Sequence, residues 1–238
     1  MKAVEYKVKH IYQPTNSTCG YASLAMLLSY YSINTSVEEL TKKVPQPKDE
    51  KGEPAGSVTA QLVEWCQEQG LKTHMYSFDC EVLDLSWKDL SAKEVLAKLK
   101  TAHGKKVAPV FGKHWTDVYI DAYTDMLKAG SKLTIQPLVT TKLLYMLLEK
   151  GPVFANICST ASRGKGRTRN IDLRKSVVDD VNGSIWNHSI VIYGNDKDGN
   201  FLVADPWDGL MVMDPENMIC SITAAQVECD NQCFVIEK

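Results

Sequence analysis

A cysteine attacks a carbonyl only as its thiolate, so a cysteine that does chemistry needs a device to bring its pKa down from about 8.5. Cys19 has such a device within reach. The polar stretch Gln13-Pro14-Thr15-Asn16-Ser17-Thr18 runs directly into Cys19-Gly20 and an apolar segment ending at Tyr31. Tyr21, Leu24, Ala25, Leu28 and Tyr31 share one face at helical spacing, which predicts a largely buried helix beginning at Cys19. A helix N-terminus offers unpaired N–H groups and the positive end of the dipole, first to a thiolate and later to a tetrahedral oxyanion. Gln13, six residues ahead of Cys19, can add a side-chain amide donor beside the Cys19 N–H. Gly20 leaves room for a substrate backbone to come close.

The thiol also needs a base, and among five histidines His188 has the setting for it. It follows the turn-like Gly183 to Asn187 and opens the β-branched and aromatic run Ser189-Ile190-Val191-Ile192-Tyr193, so its imidazole is expected at the mouth of a strand. Asp205 stands seventeen residues later, at the end of Asn200 to Ala204. A hairpin through Asn195 to Gly199 sets the start of one strand against the end of the next and makes His188 and Asp205 neighbours. A carboxylate there holds one ring nitrogen and leaves the other for the thiol. Plainer readings stand beside these: a core cysteine, a sheet-edge histidine, an Asp-Pro turn at Asp205, a loop hydrogen bond for Gln13. Asn187 is a second candidate orienter.

The elements that must position these residues follow an α+β order, helices first and strands later. Val4, Tyr6 and Val8 alternate with charged residues and predict an edge strand. Ser36 and Glu39 form a capping-box pattern for a short helix that Pro45 ends. Ser57 to Gln69 reads as a helix with Gly70 at its end, and Lys72 to Phe78 as a strand. A second capping box predicts a helix at Ser91 to Lys100, while Trp115 to Lys128 is ambiguous. A helix from Thr140 or Thr141 through Glu149 stops at Gly151-Pro152. Strands are then expected at Pro152 to Cys158, Ser189 to Tyr193, Asn200 to Ala204, Leu210 to Met213 and Cys233 to Glu237.

The order Gln-x5-Cys-Gly, a late His opening a strand, and Asp-Pro at the end of the next resembles the papain-like cysteine peptidase superfamily. It is most similar there to the bacteriocin-processing, double-glycine-leader peptidases and their stand-alone relatives. The matching residues are Gln13, Cys19, Gly20, Ala22, Ser23, Leu24, Tyr30 and Tyr31, then Leu147 to Pro152, His188 with its strand, and Asp205-Pro206. The resemblance covers about 110 residues in separated blocks. Tyr21 stands where proline is common, and about 79–136 is longer than the resemblance accounts for. The resemblance implies a single papain-like domain over 1–238 with an atypical insertion at 79–136. It also implies amide-bond hydrolysis through a Cys19 acyl-enzyme, with His188 as base, Asp205 as orienter and Gln13 in the oxyanion hole, on a protein or peptide substrate. A glutamine deamidase or transglutaminase uses the same groups, and a catalytically silent binding module keeps the same fold.

Bulk properties narrow the field. The chain has 238 residues, 44% hydrophobic and 24% charged, with a formal net charge of -2, as a packed globular protein has, with no global attraction to nucleic acid. Nucleic acid is not expected as a partner, although Arg163 to Lys175 forms a basic run. No stretch approaches the roughly 18 apolar residues of a membrane span. The start carries no signal-peptide pattern, so synthesis in the cytoplasm is expected, with export by a specialised system left open. Seven cysteines are expected to be mostly reduced. Cys229 and Cys233 lack the partners for a zinc site, and no metal or organic cofactor is expected. Asp196 to Asn200 imitates a calcium loop but reads as a hairpin turn.

Overall fold

The computed structural model describes residues 2–50, 52–79, 81–108, 112–225 and 231–237. Its first long helix, α1 (Cys19–Tyr30), is buried without interruption from Gly20 to Leu28, as expected of a helix that is apolar all round. It lies across the sheet, and Tyr31 Oη fixes its far end by donating to the Ile236 carbonyl at 2.7 Å. Against it pack α2 (Val37–Lys43) and α3 (Thr59–Glu68), while α4 (Ala92–Ala102) packs on α5 (Gly112–Lys128), which in turn packs on α3. Ser36/Glu39 and Ser91/Glu94 form the capping boxes of α2 and α4. The ambiguous segment is therefore the helix α5, whose Tyr119, Ile120, Tyr123 and Met126 turn inward.

The strands are β1 (Val4–Glu5), β2 (Lys72–Ser77), β3 (Lys132–Ile135), β4 (Val153–Cys158), β5 (Thr168–Asp172), β6 (Lys175–Val178), β7 (Asn187–Asn195), β8 (Phe201–Asp205), β9 (Gly209–Met213) and β10 (Gln232–Glu237). Eight of them form one sheet in the order β3-β2-β10-β4-β7-β8-β9, with β1 on β7. All pairs are antiparallel except β2 with β3. The expected edge strand at Val4 to Val8 is confined to two residues at the end of β7.

Both faces of the sheet are covered. One carries α1 to α5 over Phe154, Val191, Ala204 and Phe234. The other carries α6 (Thr141–Leu148) and α8 (Pro215–Ala224) over Ala155, Ile190, Val203 and Val235. That second layer explains why β4, β7 and β10 read as continuous apolar runs, since strands buried on both faces lose their alternation. The short α7 (Ser159–Arg163) and the separate β5–β6 hairpin fill the link from β4 to β7. The arrangement is the expected α+β, papain-like one: a helix N-terminus set against a mainly antiparallel sheet.

Candidate active site

Cys19 is the first residue of α1, and no side chain caps that end of the helix. His188 is the second residue of β7, buried to 7% exposure, and its Nε2 lies 2.8 Å from Asp205 Oδ1 at the end of β8. The hairpin between β7 and β8 turns through Asp196, whose carboxylate accepts from the Asp198 and Asn200 N–H groups, so the calcium-like run is a turn. Register continues from Val191 opposite Ala204. Asp205 therefore falls level with Ile190, and His188 is its diagonal neighbour on the same face. Nε2 being committed to the carboxylate, Nδ1 is the ring nitrogen left for the thiol.

Electrostatics couple the three groups. Burial pushes the Cys19 thiol up, but the His188 imidazole beside it and the Ser189 N–H outweigh that and bring it below its ordinary value. Burial likewise opposes the His188 imidazolium. The Asp205 charge and hydrogen bond, with Cys19 opposite, lift it to about 9. Burial also disfavours the Asp205 carboxylate, yet His188, the Trp207 N–H and Arg163 hold its pKa well below the usual range. Two other thiols behave oppositely: burial alone pushes Cys66 up, and Cys233 to about 12.

Gln13 is half-buried beside this cluster. Its backbone N–H donates to the Pro206 carbonyl at 2.8 Å, and His10 Nε2 lies 2.8 Å from the Asp205 carbonyl. The segment before Cys19 is thus tied to the turn after Asp205. The Gln13 side-chain amide donates to its own loop, at Thr15 O, 2.7 Å away. An amide has two N–H donors, so one remains. Asn187 does not orient the histidine; its Nδ2 donates to the Ala225 carbonyl at 3.0 Å. Nor is the space beside Gly20 open, because a Cβ there would meet Ser57 Oγ at 1.9 Å. Gly20 admits the protein's own Ser57 rather than a substrate backbone.

Sequence reasoning missed several neighbours. Arg163, the first residue of the basic run, donates to Asp208 at 2.5 Å and reaches Asp205 Oδ2 at 3.4 Å. Arg169 and Arg167 remain exposed but also find local partners, Asp179 at 3.2 Å and the Asp180 carbonyl. A basic run followed by Asp179-Asp180 carried that signal. Asn16 clamps the tip of the β5–β6 hairpin: its N–H donates to Leu173 O and its Nδ2 to Asp172 O, both at 2.8 Å. Trp115 both packs on the core and lines a cavity.

Two cavities meet at His188. One, of about 1030 Å³, contains Cys19 and runs between α5, the 54–58 loop and the hairpin tip. The other, of about 220 Å³, holds Gln13, Arg163, Lys165, Trp207 and Asp208. Among the described residues no three His, Cys, Asp or Glu side chains gather to hold a metal ion, and Cys229 of the Cys229/Cys233 pair lies outside them. No helix among them is long and apolar enough to cross a membrane.

Comparison with solved structures finds long but divergent likenesses. A C39-like peptidase of Bacillus anthracis aligns over 100% of this chain and 98% of its own, at 13% identity and a TM-score of 0.49. The peptidase domain of Streptococcus ComA, a bi-functional ABC transporter involved in quorum sensing, aligns over 97% and 98%, at 13% identity and 0.45. A double-glycine-motif protease from an AMS/PCAT transporter, solved with its leader peptide, aligns over 100% and 98%, at 14% identity and 0.46. No curated protein matches the chain significantly. The assignment rests instead on the sequence profile of the Peptidase C39 like family, which matches residues 5–221. The chain belongs to that family and is a cysteine-peptidase-type hydrolase.

Proposed function

We propose that this protein hydrolyses an amide bond of a protein or peptide through a thioester on Cys19. The observation that carries the reading is the His188 Nε2 to Asp205 Oδ1 contact at 2.8 Å, which leaves Nδ1 for a half-buried thiol at a helix N-terminus. The thiolate attacks the carbonyl carbon, and the oxyanion rests on the Cys19 N–H and the remaining Gln13 amide hydrogen. The C–N bond then breaks, and the imidazolium passes its proton to the departing amine. His188 next takes a proton from water as its oxygen bonds to the carbonyl carbon. The C–S bond breaks, which returns the thiolate–imidazolium pair and releases a carboxylic acid. Asp205 holds His188 in the tautomer and orientation these steps need. We take residues 1–238 as one such domain, in which the 79–136 segment supplies Trp115 and Tyr119 to the wall of the thiol-containing cavity.

A pH series of alkylation by iodoacetamide, read by peptide mapping, tests the pair. Cys19 is expected to react faster than the other six thiols near neutral pH, and to lose that advantage in His188→Ala. Equal reactivity of all seven would sink the reading. New amino termini in treated protein substrates mark peptide-bond cleavage, whereas ammonia release from intact substrates marks the glutamine chemistry that shares this acyl-enzyme.

A further inference from the structure

We infer that the substrate's acyl side, the part that becomes bonded to Cys19, is a chain with a bulky apolar residue near the scissile carbonyl. The inference rests on the proposed acyl-enzyme, because a group bonded to the thiol must lie in the cavity that contains the thiol. That cavity, of about 1030 Å³, is walled by Val58, Trp115, Tyr119, Ile171, Leu173 and Trp186. Among the described residues that line it, His188 aside, no side chain is cationic, and Asp172 is the one carboxylate. The cations Arg163 and Lys165 line the smaller cavity beyond His188. An acidic acyl-side residue would meet Asp172 and, among the described lining residues, no cation but His188, which the thiolate and Asp205 already engage. An apolar residue would bury surface that now faces water.

The exposure of that wall is itself informative. Leu173 is 74% exposed, Ile171 46% and Trp186 37%, yet the hairpin tip carrying the first two is fastened by two hydrogen bonds from Asn16, three residues before the thiol. Exposed apolar side chains gain free energy when covered, by about 25 cal/mol per Å². A contiguous set held in place beside a nucleophile marks a binding surface.

Peptidyl acyloxymethyl ketones test this directly. The thiolate displaces their acyloxy group, forming a C–S bond as the C–O bond breaks and a carboxylate leaves, so labelling reads acyl-side recognition alone. In a series whose last two residues carry Leu, Phe, Gly or Asp in turn, Leu or Phe at one position is expected to inactivate at least about tenfold faster than Gly or Asp. In Leu173→Asp, and separately in Ile171→Asp, the Leu to Asp rate ratio on the same variant is expected to collapse. Both side chains are exposed, so the changes leave the core alone. Gly or Asp ketones that match Leu and Phe at both positions overturn the inference. If iodoacetamide still singles out Cys19 in that case, the acyl-enzyme reading survives. If it does not, both fall together.

Discussion

Two histidine–carboxylate pairs sit at opposite ends of this sheet, and only one gathers the properties of a reactive site. His188 meets Asp205 at 2.8 Å where β4 ends, and His74 meets Glu237 at 3.2 Å near where β4 begins. His188 is lifted to about 9, whereas His74 is pushed below its ordinary value. Burial opposes the charged form of both, so the difference lies in who else claims the carboxylate. Glu237 is taken by Lys132 and Lys150, each at 2.8 Å. Those ammonium groups satisfy it and repel an imidazolium at His74. Asp205 has one partial competitor, Arg163 at 3.4 Å, which gives its closer contact to Asp208, and His188 faces a thiol besides. A histidine beside a carboxylate is common structural material. It becomes a base with a raised pKa when the carboxylate is short of other cations.

Removing each histidine breaks the comparison most sharply. His188→Ala is expected to lower kcat by about a thousandfold or more. His74→Ala, remote from the thiol, is expected to stay within about twofold; steady-state cleavage of one peptide by both variants decides it. A large loss in His74→Ala would mean that the two pairs are coupled.

Asp205→Asn sharpens the comparison at the level of charge. The proposed mechanism needs His188 as imidazolium beside the thiolate, so in the wild type activity is expected to fall as pH rises through about 9. Without the carboxylate charge that lifts it, the alkaline limb should move to lower pH, and kcat should fall about a hundredfold to ten-thousandfold. A pH–rate profile with an unmoved alkaline limb would count against Asp205 as the group that raises His188. Glu237→Gln should leave the limb where it is.

The smallest effect concerns stability. Hydrogen bonds from Lys132 and Lys150 hold the Glu237 carboxyl down to about 2. A depressed carboxylate contributes stability that is fully present above its unfolded pKa of about 4.3 and is lost as pH falls through its folded value. Glu237→Gln is therefore expected to cost up to about 1 kcal/mol at neutral pH and progressively less below pH 4. Urea unfolding at neutral pH and near pH 3 would show the gap closing; a cost that stays constant with pH would exclude the charge as its source.

Much of this was legible locally. The capping boxes at Ser36 and Ser91, the apolar helix from Cys19 and the β7–β8 turn are written in residues a few positions apart, and propensity and capping act at that range. Asp214 before Pro215 is also a helix start, since Asp214 accepts from the Asn217 N–H and Pro215 sits in the first turn, so α8 had a signal that could have been read. The β5–β6 hairpin had less. Its residues alternate charge and polarity because its strands pair with each other, outside the main sheet. The parallel β2–β3 pairing joins segments almost 60 residues apart, beyond any local pattern.

The sequence by itself singled out the candidate nucleophile, base and carboxylate and their chain order, because a helix start, a strand start and a strand end each have local signatures. Tertiary structure decided what those groups are worth. It took the second ring nitrogen of His188, put Asn187 on another partner, moved Arg163 from a basic run to the far side of Asp205, and closed Gly20 with Ser57. It also roofed the thiol with a hairpin fastened through Asn16. Competition for a carboxylate depends on which cations arrive within a few ångströms of it, and chain separation gives no measure of that distance until the sheet and its two helical layers have packed.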